Sequence, residues 1–273
     1  MYIVGDIGGT NTRLSNTKDL STLDQPTVQP TPKDYTLGLQ MIKDYADKCS
    51  KIEVIEGVCL GISGILAEEK SHLVRSPHLP NWEKKPLQSD LHNAINTNVF
   101  LENDTALVGL GESIFGAGKD HDLVAYITVS TGVGGARINE KTIDDKKFGF
   151  EPGHQIISVG DELLSLEQII SGTGIQERTG KRPEDIDKDD AIWKDVTKFA
   201  AIGLHNTILH WSPDILVLGG GIILSEKLSI HNITEIIQEL LVVFPEIPEI
   251  KKAELEDFGG LYGAMEHIKS NSK

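Results

Sequence analysis

Two cysteines in 273 residues, Cys49 and Cys59, leave little for covalent stapling. They form no C-x-x-C and neither has a metal-like histidine neighbour, so a disulfide framework is excluded and two free thiols in a reducing compartment are expected. Long apolar runs are missing too. No window approaches ~18 uninterrupted apolar residues, and no helical membrane span is expected. Positive charge is scarce, with 26 Lys and Arg against 41 Asp and Glu, a formal net charge of −15 and a pI near 5.0. That argues against a broad nucleic-acid surface and against attraction to anionic membranes. It leaves room for a phosphate ligand, which needs only local backbone dipoles and a cation. A strand pattern begins at residue 2 with Asp6 inside it. No signal peptide is therefore expected, and the expected address is the cytoplasm. The length suffices for two packed lobes.

What is present is organised around Tyr2–Ser15, YIVGDIGGTNTRLS. Tyr2, Ile3, Val4 and Ile7 supply β-prone bulk before the turn, and Leu14 resumes it afterwards. Gly8 and Gly9 stand where the chain reverses and where backbone amides can approach a ligand unhindered. Thr10 and Asn11 offer short polar groups at the tip. Asp6 sits on the strand facing the turn, placed to hold Mg²⁺ directly or through water while turn amides take phosphate oxygens.

Along the chain, Lys18–Lys33 with Pro26, Pro30 and Pro32 reads as strand edge and loop. Residues 34–50 carry helical spacing. Glu53–Leu66 reads as a buried strand and glycine turn, 70–87 as a loop, Leu87–Ile95 as a short helix and Asn98–Leu101 as a short strand. Asn103 or Asp104 is placed to cap a helix striped with Leu107, Leu110, Ile114 and Phe115. From Asp122, LVAYITVSTGVGGARIN repeats the opening device of strand, polar residue, glycine turn and strand. One echo per half-chain points to duplicated lobes. Leu163–Ile170 reads as a short helix, Trp193–Trp211 as a long one and Asp214–Ile223 as a fully buried strand of a parallel sheet. Ile233–Phe244 and Phe258–Lys269 read as further helices. Strands alternating with helices give an α/β class with parallel pairing and antiparallel hairpin additions.

The string DIGGTNTR closely resembles the first phosphate motif of the actin-like sugar-kinase superfamily, in the version of the bacterial glucokinases and the ROK (repressor, open reading frame, kinase) family. VFLENDTALVGLGE resembles the ROK motif in which Asn holds a sugar hydroxyl and Asp is the catalytic base, which maps to Asn103 and Asp104. The segment from Ser130 to Gly135 looks like the second phosphate loop, with Thr131 and Gly132 on the β- and γ-phosphates. Gly149 to His154 resembles the G-x-E-x-G-H element, implying that Glu151 and His154 bind sugar hydroxyls, and the segment around Glu167 resembles one that adds a further sugar contact. The turn at Gly64 resembles one lining the sugar cleft, and Gly220 and Gly221 belong to a triplet similar to the adenosine motif.

The resemblance spans about Val4 to Ala264. It implies two ribonuclease-H-like (actin-like ATPase) lobes with an interlobe cleft, one at 1–115 rejoined by 257–273 and a larger one at 116–256. It implies ATP and Mg²⁺ as cofactors, lobe closure that excludes water, and phosphorylation of the 6-hydroxyl of glucose. Fructose, N-acetylmannosamine or N-acetylglucosamine stand as alternative acceptors, and a sugar-responsive regulator or an idle binding protein as rival classes. Dimers are frequent among such proteins, which leaves a homodimer open. The chain departs from the family in two places. Many relatives carry zinc-binding cysteines where this chain reads Ser158 to Ser165, so no zinc is expected. Relatives often have Asn where His78 stands, and no role is carried over to His78.

Overall fold

The structure is a computed structural model that describes residues 1–144, 147–159, 162–225 and 227–271, with the side chains of Ser158 and Val159 outside that description. Gly160 and Asp161, in the segment that replaces the cysteines of relatives, lie outside the described residues. The chain divides into two compact units. One takes in Met1–Gly111 and returns from Asp257 onward; the other takes in Glu112–Asp144 and Gly149–Glu256.

The first unit opens with β1 (Tyr2–Ile7) and β2 (Asn11–Thr17), followed by β3 (Thr27–Pro30), helix α1 (Tyr35–Ser50), β4 (Gly57–Ile62), and the short strands β5 (Ile65–Leu66) and β6 (Leu73–Arg75). Helix α2 (Leu87–Ile95), β7 (Val99–Asn103) and α3 (Asp104–Phe115) follow, and the chain passes to the second unit within α3, after Gly111. The sheet order is β3-β2-β1-β4-β7. The hairpin strands pair antiparallel, and β1, β4 and β7 pair parallel. Every residue of β4 is buried, as a parallel strand covered on both faces requires. The unit's core joins Ile3, Ile7, Leu14, Val58, Leu60 and Ile62 of the sheet to Ile42, Leu87 and Leu91 of the helices.

The second unit runs β8 (Leu123–Val129), β9 (Val133–Asn139), β10 (Thr142–Ile143), β11 (Ile156–Val159), β12 (Glu162–Ser165), α4 (Leu166–Ile170), α5 (Gly172–Thr179), α6 (Ile192–Trp211), β13 (Ile215–Gly219), α7 (Gly221–Leu224), α8 (Ile230–Leu240) and β14 (Glu249–Lys252). Its sheet order, β10-β9-β8-β13-β14, repeats the plan of the first. The match extends to position along the hairpin, although the last pair encloses four residues in the first, Ile7 to Thr12, and three in the second, Val129 to Val133. Asp6 lies opposite Arg13 on one side and Gly61 on the other, and its counterpart Thr128 lies opposite Gly134 and Gly219. The duplicated device expected from sequence is therefore a duplicated sheet. The second core gathers Ala125, Ile127, Leu216 and Leu218 with Val196, Leu204, Ile208, Ile233 and Ile237.

The chain returns to the first unit as α9 (Gly259–Asn271). This helix packs against α3 at close range because glycines line the crossing. A Cβ on Gly263 would stand 1.8 Å from the Leu107 carbonyl oxygen, and one on Gly111 would stand 2.4 Å from that of Gly259.

Three element boundaries differ from expectation. Residues 162–165 form a strand paired with β11, and the helix starts only at Leu166, where Ser165 and Gln168 close a capping box. The buried strand after Trp211 stops at Gly219, and Gly221–Leu224 turns into α7. Helix α8 starts at Ile230 and ends at Leu240, short of Phe244. Among the described residues no helix is long and apolar enough to cross a membrane.

Candidate functional site

In the first unit, β1 delivers Asp6 next to the glycine turn. The turn is closed by the Gly8 amide donating to the Asn11 carbonyl at 3.0 Å. Buried Thr31 secures it from outside. Its hydroxyl donates to the Gly8 carbonyl at 2.7 Å, and its amide donates to the Thr10 carbonyl at 2.9 Å. Lys33 donates to the Gly9 carbonyl as well. Thr10 is exposed and Asn11 half-buried.

The Asp6 carboxyl is pushed up to about 7, first by burial and then by the charge of Asp104, against the pull of Arg13. Arg13 stands 3.8 Å from Asp6 and bonds Asp257 at 3.0 Å. A Cβ on Gly260, near the start of α9, would lie 3.3 Å from the Asp6 carboxyl carbon. The carboxylate therefore sits near that helix N-terminus, where partial positive charge collects.

Asn103 and Asp104 stand where β7 passes into α3. Asn103 is the residue that caps α3: its Oδ1 accepts the Ala106 amide at 3.0 Å, and its Nδ2 donates to the Gly64 carbonyl at 3.0 Å. Gly64 adopts φ +133, which favours glycine, and a Cβ there would stand 2.6 Å from the Arg75 carbonyl oxygen. Burial raises the Asp104 carboxyl above its ordinary range, against hydrogen bonds from the Thr105 amide, at 2.7 Å, and the Ser63 hydroxyl and against the charge of His78. Glu102, one residue earlier, is buried, accepts the Asn103 amide at 2.7 Å and pairs with Lys70 at 2.6 Å.

In the second unit, the β8–β9 turn is held from several sides. The Ser130 carbonyl accepts the Gly172 amide at 2.7 Å, and the Thr131 carbonyl accepts the Thr173 amide at 3.1 Å. The carboxylate of Glu167 reaches into the turn, where Oε2 accepts the Val133 amide at 2.7 Å. A Cβ on Gly132 would meet that same oxygen at 2.6 Å. The short 3-10 turn at Pro152–His154 packs on the hairpin, since a Cβ on Gly153 would fall 2.2 Å from the Val133 carbonyl oxygen. Glu151 and His154 flank this contact and are exposed. Gly220 adopts φ +90, and a Cβ there would strike the Val129 carbonyl oxygen at 2.4 Å. Gly221 faces open space, with nothing within 4 Å of a notional Cβ.

The structure thus draws Asp6, Gly8, Gly9, Thr10, Asn11, Gly64, Asn103 and Asp104 together in the first unit. It draws Thr131, Gly132, Glu151, His154, Glu167, Gly220 and Gly221 together around the β8–β9 hairpin of the second. Reading the sequence alone assigns no role to Ser63, Lys33, Arg13 or His78, which join the first cluster. Arg13 was within reach of inference, because the antiparallel register across a four-residue turn sets it opposite Asp6. The others arrive through loops whose paths leave no periodic signal. A surface depression lined by Gln88, His92, Phe100 and Asn271 contains none of these residues. Among the described residues, no group of three or more His, Cys, Asp or Glu is arranged to hold a metal ion.

A two-unit α/β fold with a glycine hairpin at the same place in each sheet defines the class. Within that class, residues 2–271 match the ROK family, and the chain belongs to it. It is 28% identical to a fructokinase from Pediococcus pentosaceus over 68% of this chain and 69% of that one. It is 26% identical to a glucokinase from Thermotoga maritima over 80% of this chain and 82% of the relative. In structure it resembles a ROK family glucokinase from Streptomyces griseus in complex with glucose and AMPPNP, with a TM-score of 0.82 and 23% identity over 98% and 99% of the two chains.

Proposed function

We propose that this protein is an ATP-dependent sugar kinase and that the 6-hydroxyl of glucose is its favoured acceptor. The observation that carries the reading is a pair of half-buried carboxylates in one electrostatic neighbourhood, Asp6 beside a glycine turn and Asp104 at the start of α3. A carboxylate whose pKa is lifted toward the operating pH is suited to take a proton from an alcohol. Phosphoryl transfer otherwise asks little covalent chemistry of a protein, mainly positioning and charge stabilisation.

In this reading the amides of Gly8 and Gly9, with Thr10 and Asn11, take phosphate oxygens. Thr131 and Gly132 do the same from the second hairpin, and the bare backbone at Gly220 and Gly221 accommodates the nucleoside. Asn103, beside the Gly64 turn, binds a sugar hydroxyl from the first unit, and Glu151, His154 and Glu167 are assigned to sugar hydroxyls in the second. Asp104 accepts the proton of the attacking hydroxyl.

The donor set fits Mg²⁺. That ion is commonly held by one or two carboxylates and completes its shell with water and phosphate oxygens, so no larger ligand cluster is needed. Asp6 would hold it through water, and a cation there would offset the burial and the repulsion from Asp104 that now raise the Asp6 pKa. When bound, the ion neutralises charge on the phosphates.

The choice of sugar is the finer part of the proposal, since relatives of comparable similarity are a fructokinase and a glucokinase. A panel of glucose, fructose, mannose, N-acetylglucosamine and N-acetylmannosamine with ATP, scored by kcat/KM in an ADP-release assay, tests it. Glucose is expected to lead. A higher value for another sugar reassigns the acceptor, and no ADP release with any of them overturns the kinase reading.

A further inference from the structure

The loop between β6 and the 3-10 turn at Pro80–Trp82 brings one more side chain into the first cluster. Its path is fixed by Ser76, whose hydroxyl donates to the Ser63 carbonyl at 2.6 Å and accepts the Leu79 amide at 3.1 Å. The Ser76 amide donates to Glu83 at 2.8 Å. The loop is thereby tied to Ser63, the residue whose hydroxyl bonds Asp104. From the other side, the Lys33 ammonium bonds the carbonyls of both Gly9 and His78, the latter at 3.1 Å. One cation therefore clamps the glycine turn and the loop together.

His78 lies between. Its Cβ, Cγ and Cδ2 stand 2.5, 2.8 and 3.3 Å from where a Cβ on Gly9 would be, so the imidazole rests on the bare face of that glycine. It is near enough to Asp104 for its charge to act on that carboxylate. The residue is half-buried, and among the described residues neither ring nitrogen has a hydrogen-bond partner. A held imidazole with unengaged nitrogens, flanked by the turn assigned to phosphate and the carboxylate assigned as base, is placed to meet what passes from one to the other.

We propose that His78 contacts the transferred phosphoryl group and donates a hydrogen bond to one of its non-bridging oxygens. This rests on the kinase reading above. In the step, the bond from the γ-phosphorus to the bridging oxygen of ADP breaks, and a bond from the sugar hydroxyl oxygen to that phosphorus forms. The hydroxyl proton goes to Asp104, and His78 keeps its own proton throughout. A donor aimed at charge that builds in the transition state acts on kcat more than on ground-state sugar binding.

The test compares wild type, His78→Ala, His78→Gln and Asp104→Asn in one ADP-release assay, with glucose and AMPPNP affinities measured by calorimetry. His78→Ala is expected to lower kcat at least tenfold with glucose Kd and KM within twofold of wild type. His78→Gln, which keeps an N–H donor on a side chain of similar reach, is expected to recover part of the loss. A His78→Ala kcat within twofold of wild type overturns the proposal, and so does a change confined to glucose affinity. If His78→Gln is as impaired as His78→Ala, the donor role is overturned too. Asp104→Asn reports separately. Normal turnover in that variant sinks the base assignment, whatever His78→Ala does.

Discussion

Burial and, after it, the charge of neighbouring Asp104 raise the pKa of Asp6 to about 7 from an ordinary value of 3.8. Folding therefore keeps a proton on Asp6 that the unfolded chain has already lost. The stability this contributes is present in full below about pH 4 and is lost as pH rises through about 7. Relative to Asp6→Asn, which stays neutral, wild type should lose roughly 2–3 kcal/mol between pH 5 and pH 8. Urea unfolding of both proteins at the two pH values measures the difference. Mg²⁺ should shrink the loss in wild type and leave Asp6→Asn unchanged. A constant gap between the two proteins would show that Asp6 ionises normally.

On the proposed reading, Asp104→Asn removes the group that takes the hydroxyl proton while keeping its shape. The Thr105 amide that bonds Asp104 Oδ1 now can bond the amide oxygen in its place. Loss of a positioned general base costs about 10²–10⁴ in rate. Turnover should fall by that factor, with glucose affinity by calorimetry within a fewfold of wild type. Normal kcat in this variant removes Asp104 from the chemistry.

Much of the architecture could be read from periodicity. The duplicated hairpin was visible in the repeat of strand, polar residue and glycine turn, and the sheets carry it out, with Asp6 and Thr128 each next to last in the paired strand before the turn. The Leu87–Ile95 helix and the all-buried strands also announced themselves, because burial leaves a pattern in the chain. Residues 162–165 did not: exposed Leu163 and half-buried Leu164 mimic the start of the helix that follows. The polar cluster was half legible. Asp6, Asn103 and Asp104 sit at strand ends, where geometry follows from the sheet. Ser63, Lys33 and His78 reach the same place along loops, and their approach depends on tertiary hydrogen bonds that no local pattern encodes.

The crossing of α3 and α9 should tolerate no side chain at Gly263. A Cβ 1.8 Å from the Leu107 carbonyl oxygen cannot be relieved by a rotamer change, because the obstacle is helix backbone. The helices must separate, at a cost of roughly 1–3 kcal/mol. Gly263→Ala should lower the thermal midpoint by several degrees. Gly221→Ala, which meets open space, is the control and should leave it within a degree or two.

Asn103 has two structural bonds besides its proposed contact with sugar. Asn103→Ala loses the cap on α3 and the tie to the Gly64 carbonyl. A lost cap costs about 1 kcal/mol, and the freed Gly64 turn adds to it. Asn103→Asp keeps the cap and loses the donor to Gly64. The aspartate variant is therefore expected to unfold at higher urea than the alanine variant, and both should bind glucose more weakly than wild type. Equal stability of the alanine variant and wild type would mean the cap bond carries no weight.

Glu167 separates two accounts of the second hairpin. As a sugar contact alone, its removal should weaken glucose and leave ATP untouched. The structure gives it another task, since Oε2 accepts the Val133 amide inside the turn proposed to hold phosphates. Glu167→Ala strands that amide, a loss of roughly 1–3 kcal/mol, and loosens the turn at Thr131 and Gly132. ATP KM should then rise about tenfold together with that of glucose. Glu167→Gln keeps a carbonyl oxygen for Val133 and should restore ATP KM while glucose KM stays high. If ATP KM is unchanged in the alanine variant, the bond to Val133 does not shape the nucleotide loop, and Glu167 acts on the sugar alone.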